Sequence, residues 1–186
     1  MWPWRRTLVL AACLFTLGWS LPSGAIATDN SVAWIVQGRP SALAQSAVQI
    51  LEQAGDEGLN PSDYDAAVLG YSVVAASKGK PLTAAQQTAL NAAISQSLLR
   101  YLHDLHYGRV DPRTVYANFN VAPKTLNLPA TLNAAVAAGD LMQAVKAATP
   151  AFPLYQALKP WLARYRALEH NPAWVGNLPA LPAQKL

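Results

Sequence analysis

The side chains best able to do chemistry in this sequence are few and scattered. His103 and His106 stand three residues apart with Asp104 between them, a spacing that sets two imidazoles on one helical face. A zinc centre needs a third protein ligand and usually a fourth, and the remaining histidine, His170, lies near the end of the chain. There is no H-E-x-x-H helix and no G-x-S-x-G nucleophile turn. Gly108-Arg109-Val110-Asp111-Pro112 contains a single glycine, too few for a phosphate-cradling loop. The acid pairs Asp56/Glu57 and Asp63/Asp65 fall where helices should begin or end, so they are expected to face the positive ends of helix dipoles. The only cysteine is Cys13. If it is removed with an N-terminal leader, the remaining chain has no thiolate nucleophile, disulfide or cysteine-bound metal. No catalytic, cofactor-binding or metal-binding residue is assigned, no cofactor is expected, and the chain is expected not to be an enzyme.

Charge narrows the partners. Fourteen basic residues stand against ten acids; without Arg5 and Arg6 the excess falls to +2. No Lys/Arg run occurs beyond the leader, so no nucleic-acid partner is expected. Of six tryptophans, Trp2, Trp4 and Trp19 belong to the leader, while Trp34, Trp161 and Trp174 are scattered and suit packing.

That leader has the three parts of a secretory signal. Arg5 and Arg6 form a positive n-region, Thr7 to Trp19 an apolar h-region, and Ala25-Ile26-Ala27 a small-residue site. Leu10-Ala11-Ala12-Cys13 offers a competing lipoprotein box, but Leu14-Phe15-Thr16-Leu17 carries the apolar run beyond the cysteine, whereas a lipobox closes it. The apolar run is short for a membrane span and no stop-transfer pattern follows. Cleavage after Ala27, a periplasmic product and no integral span after cleavage are therefore expected.

The elements that would hold these residues read as helices. Apolar residues make up 52% of the chain, with Ala and Leu dominant, and fourteen prolines and ten glycines punctuate it. Ser41 caps a first helix to about Ala54, with Leu43, Ala47, Ile50, Leu51 and Ala54 on one face, ended by Gly55 and Gly58. Asn60-Pro61 starts a second, with Tyr64, Ala67, Val68 and Tyr71 inward, running to Lys78-Gly79-Lys80-Pro81. From Thr83 to Tyr107 there is neither Gly nor Pro, and Leu90, Ile94, Leu98, Leu102 and Leu105 line one face of a central helix. Gly108 should end it in a left-handed cap. Asp111-Pro112 opens a short turn of helix, Asn118 to Leu128 reads as irregular, and two short helices follow at Ala130 to Ala138 and Asp140 to Ala148. The last helix, Pro153 to Glu169, should bury Tyr155, Leu158, Leu162, Tyr165 and Leu168, with Pro160 kinking or splitting it. The fold class is all-α, an irregular helical bundle in a single domain, with no internal repeat.

Three stretches carry a resemblance. Gly58-Leu59-Asn60-Pro61-Ser62-Asp63-Tyr64 resembles the "GL-x-P-x-DY" turn in the scaffold domain of large multidomain bacterial L,D-transpeptidases. The segment from Leu99 to Pro112 is similar to that domain's "Y-x-x-DL-x-x-GRVDP". Pro150 to Tyr155 followed by Tyr165-Arg166-Ala167-Leu168 is similar to its "P-x-x-P-x-Y … YRxL" ending. The resemblance implies a helical module of envelope proteins that cross-link peptidoglycan through a cysteine in an "SxGC" motif of a separate β-rich domain. Neither that motif nor the family's small peptidoglycan-binding domain is matched, so no catalytic residue carries over.

The expected organisation is a signal peptide over 1–27, a scaffold-like helical domain over 28–171 and an extended tail over 172–186. The tail would lead toward missing domains, as in a truncated or split product. The expected function is a non-catalytic scaffold of an L,D-transpeptidase, partnered by peptidoglycan or a transpeptidase catalytic domain. A stand-alone envelope binding module is the rival.

Overall fold

The computed structural model describes residues 32–116, 118, 121–122, 125–169 and 171–172. The leader, His170 and the Trp174, Val175, Leu178 and Leu181 of the tail lie outside them, as does part of the stretch expected to be irregular.

The chain enters as a two-residue hairpin that no alternation in the sequence announces. β1, Ile35–Val36, pairs antiparallel with β2, Arg39–Pro40, in the register Ile35 to Pro40 and Val36 to Arg39. Gln37 and Gly38 both take positive φ (51° and 76°), the backbone of the tight turn that suits the twist of paired strands. A Cβ on Gly38 would lie 2.9 Å from the Pro81 Cβ, and the Gly38 carbonyl accepts a hydrogen bond from the Leu82 amide.

α1, Ala42–Glu52, starts at Ser41, whose hydroxyl accepts from the Ala44 amide. It buries Ala44, Ala47, Val48, Ile50 and Leu51, then tightens into a 3₁₀ turn over Gln53–Glu57 that closes at left-handed Gly58. Asn60 caps a second 3₁₀ turn, Pro61–Tyr64, before Asp65 at φ 56°, ψ 25°. That left-handed residue breaks the phase: α2 begins at Ala66 and runs to Lys78 with Ala66, Leu69, Val73 and Ala76 inside. The expected inner face is thereby corrected. Tyr64 is buried, but Ala67, Val68 and Tyr71 point outward, Tyr71 79% exposed, because one non-helical residue rotates everything after it.

α3, Ala84–Tyr107, has a full capping box between Thr83 and Gln86. Ile94, Leu98, Leu102 and Leu105 are buried as expected, joined by Tyr101 and Ser97. It packs against α1, α2, α5 (Leu128–Ala137) and α6 (Met142–Ala148), so it is the axis of the bundle. α4, Pro112–Val115, is capped by Asp111, and α5 by Asn127, whose side chain accepts from the Ala130 amide. Leu128 is thus the start of a helix rather than the end of an irregular stretch. The fold is a mostly helical single domain, with seven α-helices among the described residues.

Gly108 ends α3 at φ 87°, ψ 164°. The positive φ expected there holds, but the residue is extended rather than left-handed helical, a region open essentially to glycine alone. Gly108→Val is expected to cost about 1–3 kcal/mol, lowering the thermal midpoint by several degrees. Arg109→Ala, which removes one ion pair that is exposed on the arginine side, should cost under about 1 kcal/mol. Circular-dichroism melts compare the two; an Arg109→Ala loss as large as that of Gly108→Val would contradict this assignment.

α7, Pro153–Leu168, departs most from expectation. It is one continuous helix through Pro160, and none of its residues is buried. Side chains on both sides of the proline grip the body (Tyr155 and Lys159 before it, Leu162 and Arg166 after), which holds the two halves in line despite the lost backbone bond.

Candidate functional site

The three sequence segments singled out above meet on one side of the bundle, around the C-terminal half of α3. From the Asp63-Tyr64-Asp65 turn, the Tyr64 hydroxyl donates to Asp104 Oδ2 at 3.0 Å. Its ring meets Tyr101 edge to face at 5.6 Å, a preferred aromatic arrangement. The two flanking acids reach opposite ways: Asp65 to Arg100 at 2.7 Å and Asp63 to Arg109 at 2.7 Å. The Asp63 contact is charge pairing without hydrogen-bond alignment. As expected, the acids stand at helix starts, Asp63 in the first turn of the second 3₁₀ helix and Asp65 just before α2, and the turn also sets their carboxylates within reach of arginines on and just beyond α3. Such exposed pairs orient more than they stabilise.

The third segment joins through Glu57, at the end of the first 3₁₀ turn. Its carboxylate accepts from the Tyr155 hydroxyl at 2.7 Å and pairs with Lys159, while Arg166 donates to the Gly55 carbonyl. Asp56, its neighbour, lines the groove of about 250 Å³ between this turn and α7 with Gly55, Lys159, Leu162 and Arg166.

Burial pushes the phenols of Tyr64, Tyr101 and Tyr155 well above their ordinary range; hydrogen bonding to Asp104 and to Glu57 adds to the rise at Tyr64 and Tyr155. All three stay protonated near neutrality, so Tyr64 and Tyr155 act as hydroxyl donors and Tyr101 as a packing ring, not as bases.

His103 and His106 are engaged separately. His103 Nδ1 lies 3.1 Å from Asp104 Oδ1 and His106 Nδ1 lies 3.2 Å from the Ala148 carbonyl, with Tyr107 in ring contact with both. Among the described residues no group of three or more His, Cys, Asp or Glu side chains comes together. The Tyr107 hydroxyl donates to the Leu126 carbonyl and accepts from the Leu126 amide, tying the chain before α5 to the end of α3. Asp111 caps α4 and pairs with Arg113 at 2.8 Å, a contact that holds its carboxyl below the usual carboxylate range.

Trp34, read from sequence as a packing residue, is fully buried, and its indole N–H donates to Ser95 Oγ at 2.8 Å. Asn91 Oδ1 accepts from the Trp34 and Ile35 amides. Both partners sit beside a cleft of about 570 Å³ between α3 and α5. Asn91 and Ser95 were missed in the sequence, which offers no local signal for a helix residue that caps a remote strand.

The largest departure from an ordinary surface is the outer side of α7. Leu154, Leu158, Trp161, Tyr165 and Leu168 follow one another at steps of four and three and are 38–69% exposed. Trp161 carries the Arg164 guanidinium 5.4 Å from its ring centroid. No described helix is long and apolar enough to cross a membrane.

A family described as "Scaffold domain" matches residues 27–162, from the segment before the hairpin into the middle of α7. No curated protein and no solved structure matches the chain.

Proposed function

The chain belongs to the scaffold-domain family, and from that premise we propose that it is the non-catalytic helical scaffold of an L,D-transpeptidase, holding a peptidoglycan cross-linking domain in position in the periplasm. One observation carries the reading. Two of the three segments that resemble the transpeptidase scaffold are joined side chain to side chain, through Tyr64–Asp104 and Asp63–Arg109, and the third is tied by Tyr155 to Glu57, the residue just before the first. These motifs thus serve to fix one rigid arrangement, and the acids and phenols that might have done chemistry are committed to it. A rigid body that offers an apolar seam at its C-terminal helix suits a part that positions another domain.

The test has two arms. The full chain alone, incubated with tetrapeptide muropeptides, should give no transpeptidase or carboxypeptidase product; turnover that survives repurification would overturn the non-catalytic part. Added to the isolated catalytic domain of an L,D-transpeptidase from the same organism, it should raise that domain's thermal midpoint by several degrees through mass action and increase cross-linking. No change in either would remove the transpeptidase assignment. Intact mass of the exported chain, expected to begin at Thr28, checks a soluble periplasmic product; a retained N-terminus or a lipid on Cys13 would overturn it.

A further inference from the structure

We infer that the outer face of α7 is the seat of a protein partner whose contacting surface is an apolar helical seam flanked by carboxylates. The inference deepens the scaffold reading, since it names the chemistry of the surface that the scaffold would hold.

The first support is the way the helix is docked. A surface helix ordinarily turns its apolar stripe to the core. α7 does the opposite: it lies on the body along Tyr155, Lys159, Leu162 and Arg166, a seam whose polar groups are met by Glu57 and the Gly55 carbonyl. The neighbouring seam, Leu154 to Leu168 at alternating steps of four and three, is left facing out. That repeat is the one by which one helix packs along another. Because specific polar contacts hold the inner seam, the helix cannot roll to bury the outer one without breaking them.

The second support is charge. From Pro153 to Leu168 the helix contains Lys159, Arg164 and Arg166 and no acid. Lys159 is answered by Glu57 and Arg166 by the Gly55 carbonyl. Arg164 is different: it stacks on Trp161 in the middle of the exposed seam and makes no ion pair among the described residues. Trp, Tyr and Arg are the residue types that dominate binding energy when they are desolvated at the centre of an interface, and here Trp161, Tyr165 and Arg164 adjoin. Burying Arg164 costs least with a carboxylate opposite it. A second copy of this helix brings another Arg164 and no carboxylate along the seam, its nearest acid in sequence being Glu169 past the helix end. An anionic lipid surface draws on clusters of about four to eight basic residues, and this seam presents one. The observations therefore favour an acid-flanked apolar seam on another protein.

The experiment uses the full chain and two designed helical peptides of about three heptads with the same Leu seam, one flanked by Glu and the other by Lys. The Glu-flanked peptide should bind at least about tenfold tighter than the Lys-flanked one. Arg164→Glu should reverse that order, and Trp161→Ala should abolish binding of both. Trp161 is 53% exposed, so unchanged melting of these variants should show that the fold is intact. Equal binding of the two peptides, or none, overturns the inference. So does a concentration-dependent dimer, or tight binding to phosphatidylglycerol vesicles, that Trp161→Ala removes while peptide selectivity is absent. If the peptides discriminate but no L,D-transpeptidase catalytic domain responds, the transpeptidase assignment falls and the acid-flanked partner stands. If the catalytic domain responds equally to the wild type and to Trp161→Ala, the scaffold reading stands and this surface is not its seat.

Discussion

Trp34→Ala is expected to lower the thermal midpoint by about 10 °C or more. The residue is fully buried, and removing a buried Trp costs about 3–5 kcal/mol from lost contacts and the cavity left behind. In a domain of this size each kcal/mol moves the midpoint by about 2–4 °C. The loss is compounded by position. The Trp34 indole donates to Ser95, and the Trp34 and Ile35 amides converge on Asn91. The hairpin is further pinned by Arg39 donating to the Ser77 carbonyl and by Leu82 donating to Gly38. Trp34→Phe should fall between wild type and Trp34→Ala, since it keeps most of the volume and loses the N–H. Calorimetry of the three proteins decides it. A Trp34→Ala shift under about 2 °C would show that the hairpin contributes little to the stability of the bundle.

The second large effect is expected at Tyr64. Tyr64→Ala empties a fully buried site against Tyr101 and deletes the donor to Asp104, a loss of about 3–5 kcal/mol. Tyr64→Phe removes the hydroxyl alone and should cost about 1–2 kcal/mol, the net value of a hydrogen bond to a charged group partly reached by solvent. Denaturant melts should therefore rank wild type, Phe and Ala in well-separated steps. If Phe costs as much as Ala, the Tyr64–Asp104 bond rather than ring packing joins the two segments. If neither matters, the turn is not a structural joint, and the main support for the scaffold reading goes with it.

Much of this architecture is local and therefore written in the sequence. Ser41, Asn60, Thr83 and Asp111 cap helices through side chains two or three residues from the amides they satisfy, and such contacts depend only on residue type and spacing. The long period-matched run of Leu and Ile in α3 suffices to place the central helix, because a stripe of that length has one way to be buried. Gly108 was legible as a stop with positive φ, although its extended ψ was not. Family membership, too, was readable from motifs in order.

What tertiary structure alone decided has a common cause: each case turned on a contact distant in the chain. Asp65 in the left-handed region reset the phase of α2 and sent Val68 and Tyr71 to the surface. A single residue's φ carries no periodic signature, and Asp65 is held by Arg100, which lies thirty-five residues away. Asp63 and Asp65 stand at helix starts as their spacing implies, but that arginines meet them was decided by the packing of α3. The apolar stripe of α7 reads as core because periodicity tells which side chains share a face, not which face meets the body. That choice was made by Glu57, about a hundred residues earlier in the chain, whose carboxylate satisfies the polar seam and leaves the apolar one facing outward.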